Sequence, residues 1–157
     1  MSDLTLKIFR FDPEKDSEPY FDEFQVPRFK KGLTVLEALY YIQDKIDGSL
    51  AFRASCREGI CGSCAMHING KYRLACETQV ADLKSDSISI RPLGHLRVLR
   101  DLVVDMEPFF AKYKYIKPYL MPGSDAPEGR ERFQTEAEHA RMLPSIDCIL
   151  CACCNSS

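Results

Sequence analysis

The tightest constraint in this sequence is the placing of four cysteines in one short stretch. Residues 55–76 read SCREGICGSCAMHINGKYRLAC, so Cys56, Cys61 and Cys64 stand as C-x4-C-x2-C, and Cys76 follows a short hairpin pattern. This is the plant-type spacing for four thiolates around a 2Fe–2S cluster, in which iron takes soft sulfur donors. Gly59 and Gly62 let the backbone turn tightly and approach the sulfurs with no Cβ in the way. Backbone N–H groups aimed at sulfur would stabilise the reduced, more negative state. Zinc also uses four cysteines, but usually as two C-x2–4-C pairs. Three cysteines in one glycine-bearing loop plus a single distant one fit that pattern poorly.

The remaining text fits such a centre. The chain has 157 residues, enough for one ordinary domain or two small ones, and is 45% hydrophobic, so it can bury a core without disulfide staples. A net charge of −2 gives no electrostatic footprint for nucleic acid. No apolar run approaches the length of a membrane span. The opening MSDLTLKIFRFDPEKD reads as neither a secretory signal nor a transit peptide. A reducing, cytosol-like compartment is therefore expected, where eight cysteines in two groups of four point to metal and not to disulfides.

Around the first group the pattern is that of an α+β fold. Residues 4–11 alternate, with Leu4, Leu6 and Ile8 on one face, and residues 20–29 form a second strand with Phe24 and Val26 inward. Residues 34–47 predict a helix that starts with a Thr34/Glu37 capping box and carries Val35, Leu39, Ile42 and Ile46 as its buried stripe, stopping at Gly48. Residues 65–68 and 72–75 are strands joined through Asn69-Gly70, a strong hairpin signal that returns Cys76 toward the loop. Residues 87–91 close a small mixed sheet with the helix packed across it. After the break at 92–94, residues 97–104 read as an extended connector. A helix with Asp105 as N-cap and Pro108 in its first turn should bury Phe109, Phe110, Tyr113 and Ile116 and end at Pro118. Residues 121–131 read as a loop, and a Thr135/Glu138 capping box opens a short helix expected to end before Pro144.

The chain closes on CILCACCNSS. Cys148, Cys151 and Cys154 form C-x2-C-x2-C, the opening of the bacterial run C-x2-C-x2-C-x3-C-P that holds a 4Fe–4S cluster. The next cysteine of that run falls due one residue past Ser157. An N-terminal fragment or a truncated product is the expectation. Cys153, between ligand positions, reads as a small buried filler.

These two cysteine blocks, with IRPL at 90–93, RDLVVDM at 100–106 and KPYL at 117–120 between them, resemble the iron–sulfur subunit of succinate dehydrogenase and fumarate reductase. The resemblance runs over essentially the whole chain but covers about two thirds of such a subunit. It implies a β-grasp, plant-type ferredoxin domain over residues 1–96, then a connector and the start of a helical, bacterial-type ferredoxin domain over residues 97–157. It implies a relay of 2Fe–2S, 4Fe–4S and 3Fe–4S clusters between an FAD-containing flavoprotein subunit, where succinate and fumarate interconvert, and quinone at a membrane anchor. Carried over by position, Cys56, Cys61, Cys64 and Cys76 are the 2Fe–2S ligands and Cys148, Cys151 and Cys154 are three of the four 4Fe–4S ligands. The ligands of the 3Fe–4S cluster and the residues lent to the quinone site are expected beyond residue 157. The implied location is peripheral, on the cytoplasmic side of the cell or inner membrane, or the matrix side in a mitochondrion, with no span of its own.

No catalytic base or nucleophile is asked of this chain, because the cluster carries the redox chemistry and the protein sets its position, burial and potential. His67, His95 and His139 are read as structural. Arg57 and Glu58, inside the loop, either bond across it or face the flavoprotein. Within the family, the SCREG and CILCACC wording favours succinate dehydrogenase over fumarate reductase. The rival readings are a free-standing ferredoxin-like carrier and a zinc-stabilised interaction module.

Overall fold

A computed structural model of the chain describes residues 3–125 and 127–157. Strand β1 (Leu4–Arg10) places Leu4, Leu6 and Ile8 inward with no exposed surface, as the alternation requires. It pairs antiparallel with β2 (Tyr20–Val26), Leu4 opposite Val26 and Arg10 opposite Tyr20. β2 stops three residues short of the expected end, because Pro27 has no N–H to continue the ladder.

Helix α1 (Val35–Lys45) begins with the expected capping box: Glu37 N donates to Thr34 Oγ1, and Thr34 N donates to Glu37 Oε2. Val35, Leu36, Ala38, Leu39 and Ile42 are its buried face. Ile46 caps the helix and is 49% exposed, so it leaves the stripe expected of it. Strands β3 (Ala65–Ile68) and β4 (Lys71–Leu74) form the hairpin, with Asn69 and Gly70 both at positive φ in its turn. β5 (Ser87–Arg91) runs parallel to β1 and antiparallel to β3, giving the mixed order β2-β1-β5-β3-β4. Its Ile88 and Ile90 join Leu6, Ile8, Ile68 and the apolar face of α1 in one core. Each such side chain contributes about 1.5–3 kcal/mol by leaving water. A five-stranded mixed sheet with one helix across it is the β-grasp ferredoxin arrangement, within the α+β class expected.

The connector is not simply extended. It folds into a two-stranded ribbon, β6 (Val98–Arg100) and β7 (Val103–Val104), with Asp101 at φ 46° in its turn. Leu102 and Val104 enter the core. The Asp101 carboxylate accepts from Arg10 Nε (3.1 Å), Phe11 N (3.0 Å) and Ala51 N (2.9 Å), and Asp101 N donates back to Phe11 O (2.8 Å). The Arg10 guanidinium also donates to Asp47 and to Ser49 Oγ (2.8 Å). One buried ion pair therefore joins the end of β1, the segment after α1 and the connector.

Beyond this the chain is thinly packed. α2 (Glu107–Tyr115) starts one residue later than expected. Met106 is the N-cap, while Asp105 Oδ1 accepts from Glu107 N at 3.0 Å. Phe109, Phe110 and Tyr113 are only half-buried, and Ile116 is 69% exposed. The helical period marks which residues share a face, but nothing among the described residues covers that face fully. α3 (Glu136–Ile146) opens with its capping box and runs through Pro144, where a stop was expected. In the last turn the proline forfeits a single bond, and Asp147 N still closes the helix on Leu143 O at 3.0 Å. An apolar groove of about 810 Å³ lies between the two helices, lined by residues such as Phe109, Tyr113, Met142 and Ile146.

Candidate metal centre

The loop between α1 and β3 has no regular structure, and three left-handed residues shape it: Arg57 (φ 65°), Gly59 (79°) and Gly62 (69°). Turning the chain this way points successive N–H groups inward, as in backbone anion nests. Cys56 Sγ accepts from Glu58 N (3.5 Å), Ile60 N (3.4 Å) and Cys61 N (3.3 Å), and Cys61 Sγ accepts from Cys56 N (3.4 Å). Gly59 N donates to Cys76 Sγ at 3.3 Å, which ties the loop to the returning strand. A Cβ on Gly59 would lie 2.3 Å from Glu77 Oε1, so the loop and the Cys76 turn meet closely there.

Cys76 is fixed from two sides. The β3–β4 register sets Ala65 opposite Leu74, and Ala75 N donates to Cys64 O at 3.1 Å, which brings Cys64 and Cys76 to the same end of the hairpin. The first turn of α1 then holds the following turn, with Leu36 N donating to Ala75 O (3.0 Å) and Val35 N to Thr78 O (3.0 Å). Orphan donors of a helix N-terminus are thereby satisfied by the segment carrying the fourth cysteine.

The four sulfurs fall into two pairs. Cys56 and Cys61 are half-buried partners in the outer loop; Cys64 and Cys76 are buried beneath it. Their acidities differ accordingly. The Ser63 hydroxyl and then the Cys56 N–H hold the Cys61 thiol down, to about 6. Burial, and then the neighbouring Cys76 sulfur, push the Cys64 thiol up. Among the described residues no three His, Cys, Asp or Glu side chains converge where one metal ion could sit. Cys56 beside Cys61 and Cys64 beside Cys76 match a two-iron centre, in which each iron takes two thiolates. The donor set, its pairing and the N–H groups on sulfur thus fit a 2Fe–2S cluster.

Arg57 lies over the Tyr40 ring of α1, 4.7 Å from its centroid, so the guanidinium ties the loop to the helix and does not bond across the loop. Ile60, at the loop tip, is 65% exposed. His67 packs edge-on to Tyr72, and His95 and His139 are exposed. Among the described residues no histidine hydrogen-bonds to a cysteine sulfur.

The second cysteine block lies against the first. Leu150 (φ 55°) and Ala152 (φ 63°) turn the chain between Cys148 and Cys154, and Leu150 N donates to Cys148 Sγ at 3.4 Å. Cys148 and Cys154 are exposed, and Cys151 and Cys153 are half-buried against the core. Burial, and the Cys151 sulfur beside it, push the Cys153 thiol up to about 12, which suits a neutral filler. Sequence reasoning missed Ser63 and Asp101. Ser63 had a signal, a hydroxyl between two cysteines in CGSC, whereas Asp101 had none, because its partners lie tens of residues away.

Residues 5–111 match the sequence pattern of the family described as 2Fe-2S iron-sulfur cluster binding domain. The chain is 45% identical over 155 residues to the succinate dehydrogenase iron-sulfur subunit of Coxiella burnetii, covering 98% of this chain and 65% of that protein. It is 40% identical over 157 residues to the mitochondrial succinate dehydrogenase (ubiquinone) iron-sulfur subunit of Dictyostelium discoideum, covering 98% of this chain and 55% of that one. Among solved structures, a chain of the Mycobacterium smegmatis Sdh1 complex in the apo form superposes with a TM-score of 0.83 at 30% identity, over 99% of this chain and 63% of that chain. The chain therefore spans somewhat over half to about two thirds of the length of these proteins.

Proposed function

We propose that this chain, which belongs to the family of 2Fe–2S iron–sulfur cluster binding domains, works as the electron-transfer part of a succinate dehydrogenase iron–sulfur subunit. In that role it passes single electrons from a flavoprotein that oxidises succinate toward a quinone held by a membrane anchor. The observation that carries the reading is the pairing of Cys56 with Cys61 and of Cys64 with Cys76. Backbone N–H groups already face sulfur there, and a second cysteine block packs alongside. The names of the relatives support succinate over fumarate as the substrate of the whole assembly.

On this reading Cys56 and Cys61 would hold one iron and Cys64 and Cys76 the other, with Cys148, Cys151 and Cys154 supplying three of the four ligands of a 4Fe–4S cluster. A bound 2Fe–2S cluster supplies one-electron chemistry. The residues of the chain bind it, exclude water from its inner side and set its potential. The N–H groups of Glu58, Gly59, Ile60 and Cys61 stabilise added negative charge at sulfur, which raises the potential relative to an undressed thiolate set. The chain is organised as a plant-type ferredoxin domain over 1–96 and, over 97–157, a connector leading into a helical 4Fe–4S domain. The docked flavoprotein would meet the exposed loop tip at Ile60. The subunit itself would sit at the membrane surface beside that anchor, and no helix among the described residues is long and apolar enough to cross a membrane.

The test is iron and acid-labile sulfide per chain, paramagnetic resonance after dithionite, and co-purification with a flavin-containing subunit. A red-brown protein with a rhombic signal that brings down the flavoprotein is expected. A colourless, zinc-bearing protein with no flavoprotein attached would defeat the proposal.

A further inference from the structure

We infer that Gly62 is a positioning residue that sets the gap between the two cysteine blocks, and so the distance an electron crosses on leaving the Cys64/Cys76 side. This rests on the relay proposed above. A Cβ at Gly62 would lie 2.7 Å from Cys151 Cβ, 2.9 Å from Cys151 Cα and 3.0 Å from Ile149 O. Two of these three atoms are backbone and the third is a Cβ, so none is the far end of a flexible side chain that could swing aside. The bare backbone of the first loop therefore touches the second block at one of its ligand positions.

A second dent of the same kind lies nearby. A Cβ on Gly94 would meet Tyr72 Oη at 2.3 Å and Ser156 O at 3.3 Å. Between these two seats the segment is pressed onto the core: Ala152 is 3% and Ser156 1% exposed, and Ser156 N donates to Ala152 O at 3.1 Å. Outside, Lys112 Nζ holds Asn155 Oδ1 at 3.1 Å. Thus the block touches the first loop at Gly62 and the strand exit at Gly94, while its outer cysteines, Cys148 and Cys154, stay exposed. The step served is simple in balance: one electron leaves the first centre, which is oxidised, and one enters the second, which is reduced, with no proton or group transferred.

The test uses the purified iron-loaded chain and three variants. Gly62→Ala fills the contact. Gly70→Ala is the control for backbone strain, with φ 82° but no atom within 4 Å of its Cβ. Gly94→Ala, made together with Tyr72→Phe and compared with Tyr72→Phe alone, presses on the same segment without touching the cysteine loop. The readouts are visible circular dichroism of the first centre, amide hydrogen exchange at residues 152–156, and microwave-power saturation of the reduced first centre. Gly62→Ala should speed exchange at the Ser156 amide about tenfold, a modest overpacking effect. With an added thiol completing the ligand set of the second centre, it should also weaken relaxation of the first centre by the second, while Gly70→Ala leaves both unchanged. Unchanged exchange in Gly62→Ala overturns the inference. If Gly62→Ala fails to load iron, the Gly94 variant decides: faster exchange supports the docked seat, and unchanged exchange overturns it. Absence of the dichroism signal from wild type as well would remove the iron–sulfur reading and leave the exchange result still deciding the contact.

Discussion

Asp101→Asn tests how the fold is locked. The carboxylate is 3% exposed and faces an Arg10 side chain that is 7% exposed. It also accepts the N–H groups of Phe11 and Ala51, one on each oxygen. Asparagine keeps the shape and tolerates the left-handed backbone at φ 46°. Its single carbonyl oxygen cannot serve both sides, and its NH2 would face a donor. Breaking a buried pair by removing one charge costs about 3–5 kcal/mol. Arg10 retains Asp47 and Ser49, so the lower half of that range applies, about 3–4 kcal/mol with the stranded N–H included. Asp101→Ala should lose about 1 kcal/mol more, for the backbone conformation alone. Out of a typical 5–15 kcal/mol this is a large share. In urea melts followed by far-ultraviolet circular dichroism, the midpoint should fall by roughly 1–2 M with the slope unchanged. Arg10→Met combined with Asp101→Asn should lose less than the two singles summed, because the partners are coupled. A change below about 0.5 kcal/mol in Asp101→Asn, the level of an ordinary surface substitution, would refute the assignment of Asp101 as the lock.

Other outcomes follow from the same geometry. Asp47 is held down to about 2, first by the Ser49 hydroxyl and, against the pull of burial, by Arg10. Its folded value lies below the unfolded one, so its contribution is complete above about pH 4 and is lost as pH falls through 2. With the side chain 28% exposed, about 1–2 kcal/mol is expected. Asp47→Asn should flatten that part of the stability profile, and equal acid loss in both proteins would contradict it. Thr34→Ala removes the α1 cap and should cost about 1 kcal/mol in a thermal melt. Cys76→Ala leaves three thiolates and should bleach the first centre, whereas Cys153→Ala should leave its iron content unchanged, both read by iron analysis. Arg57→Ala loses the stacking on Tyr40, worth about 0.5–1 kcal/mol, and should shift the potential without abolishing assembly.

What the sequence made legible was local. The Thr34 and Thr135 caps and the Asn69-Gly70 turn depend on residues a few positions apart, and each stands where the pattern put it. The cysteine spacing was legible because metal ligation restricts residue type and separation together. Three things were not. Asp101 is an ordinary surface-type residue by composition, and only the fold delivers Arg10, Phe11 and Ala51 to it. Ile116 and Ile46 look like core residues by period, but period cannot say what lies opposite. Gly62 reads as a turn residue, and its positive φ bears that out, but its second role as a seat for Cys151 depends on a segment almost ninety positions later.

The first strand has a long wait. Its parallel neighbour sets Thr5 beside Ser87, and Arg10 meets its most buried carboxylate partner, Asp101, 91 residues on. At a synthesis rate of 5–20 residues per second, about 5–20 s pass between the emergence of one partner and the other. All four thiols at 56–76 are exposed on the nascent chain before the sheet that shelters them can close. Whatever delivers iron in that window meets an open hairpin, and whatever delivers it afterwards meets Cys64 and Cys76 already buried.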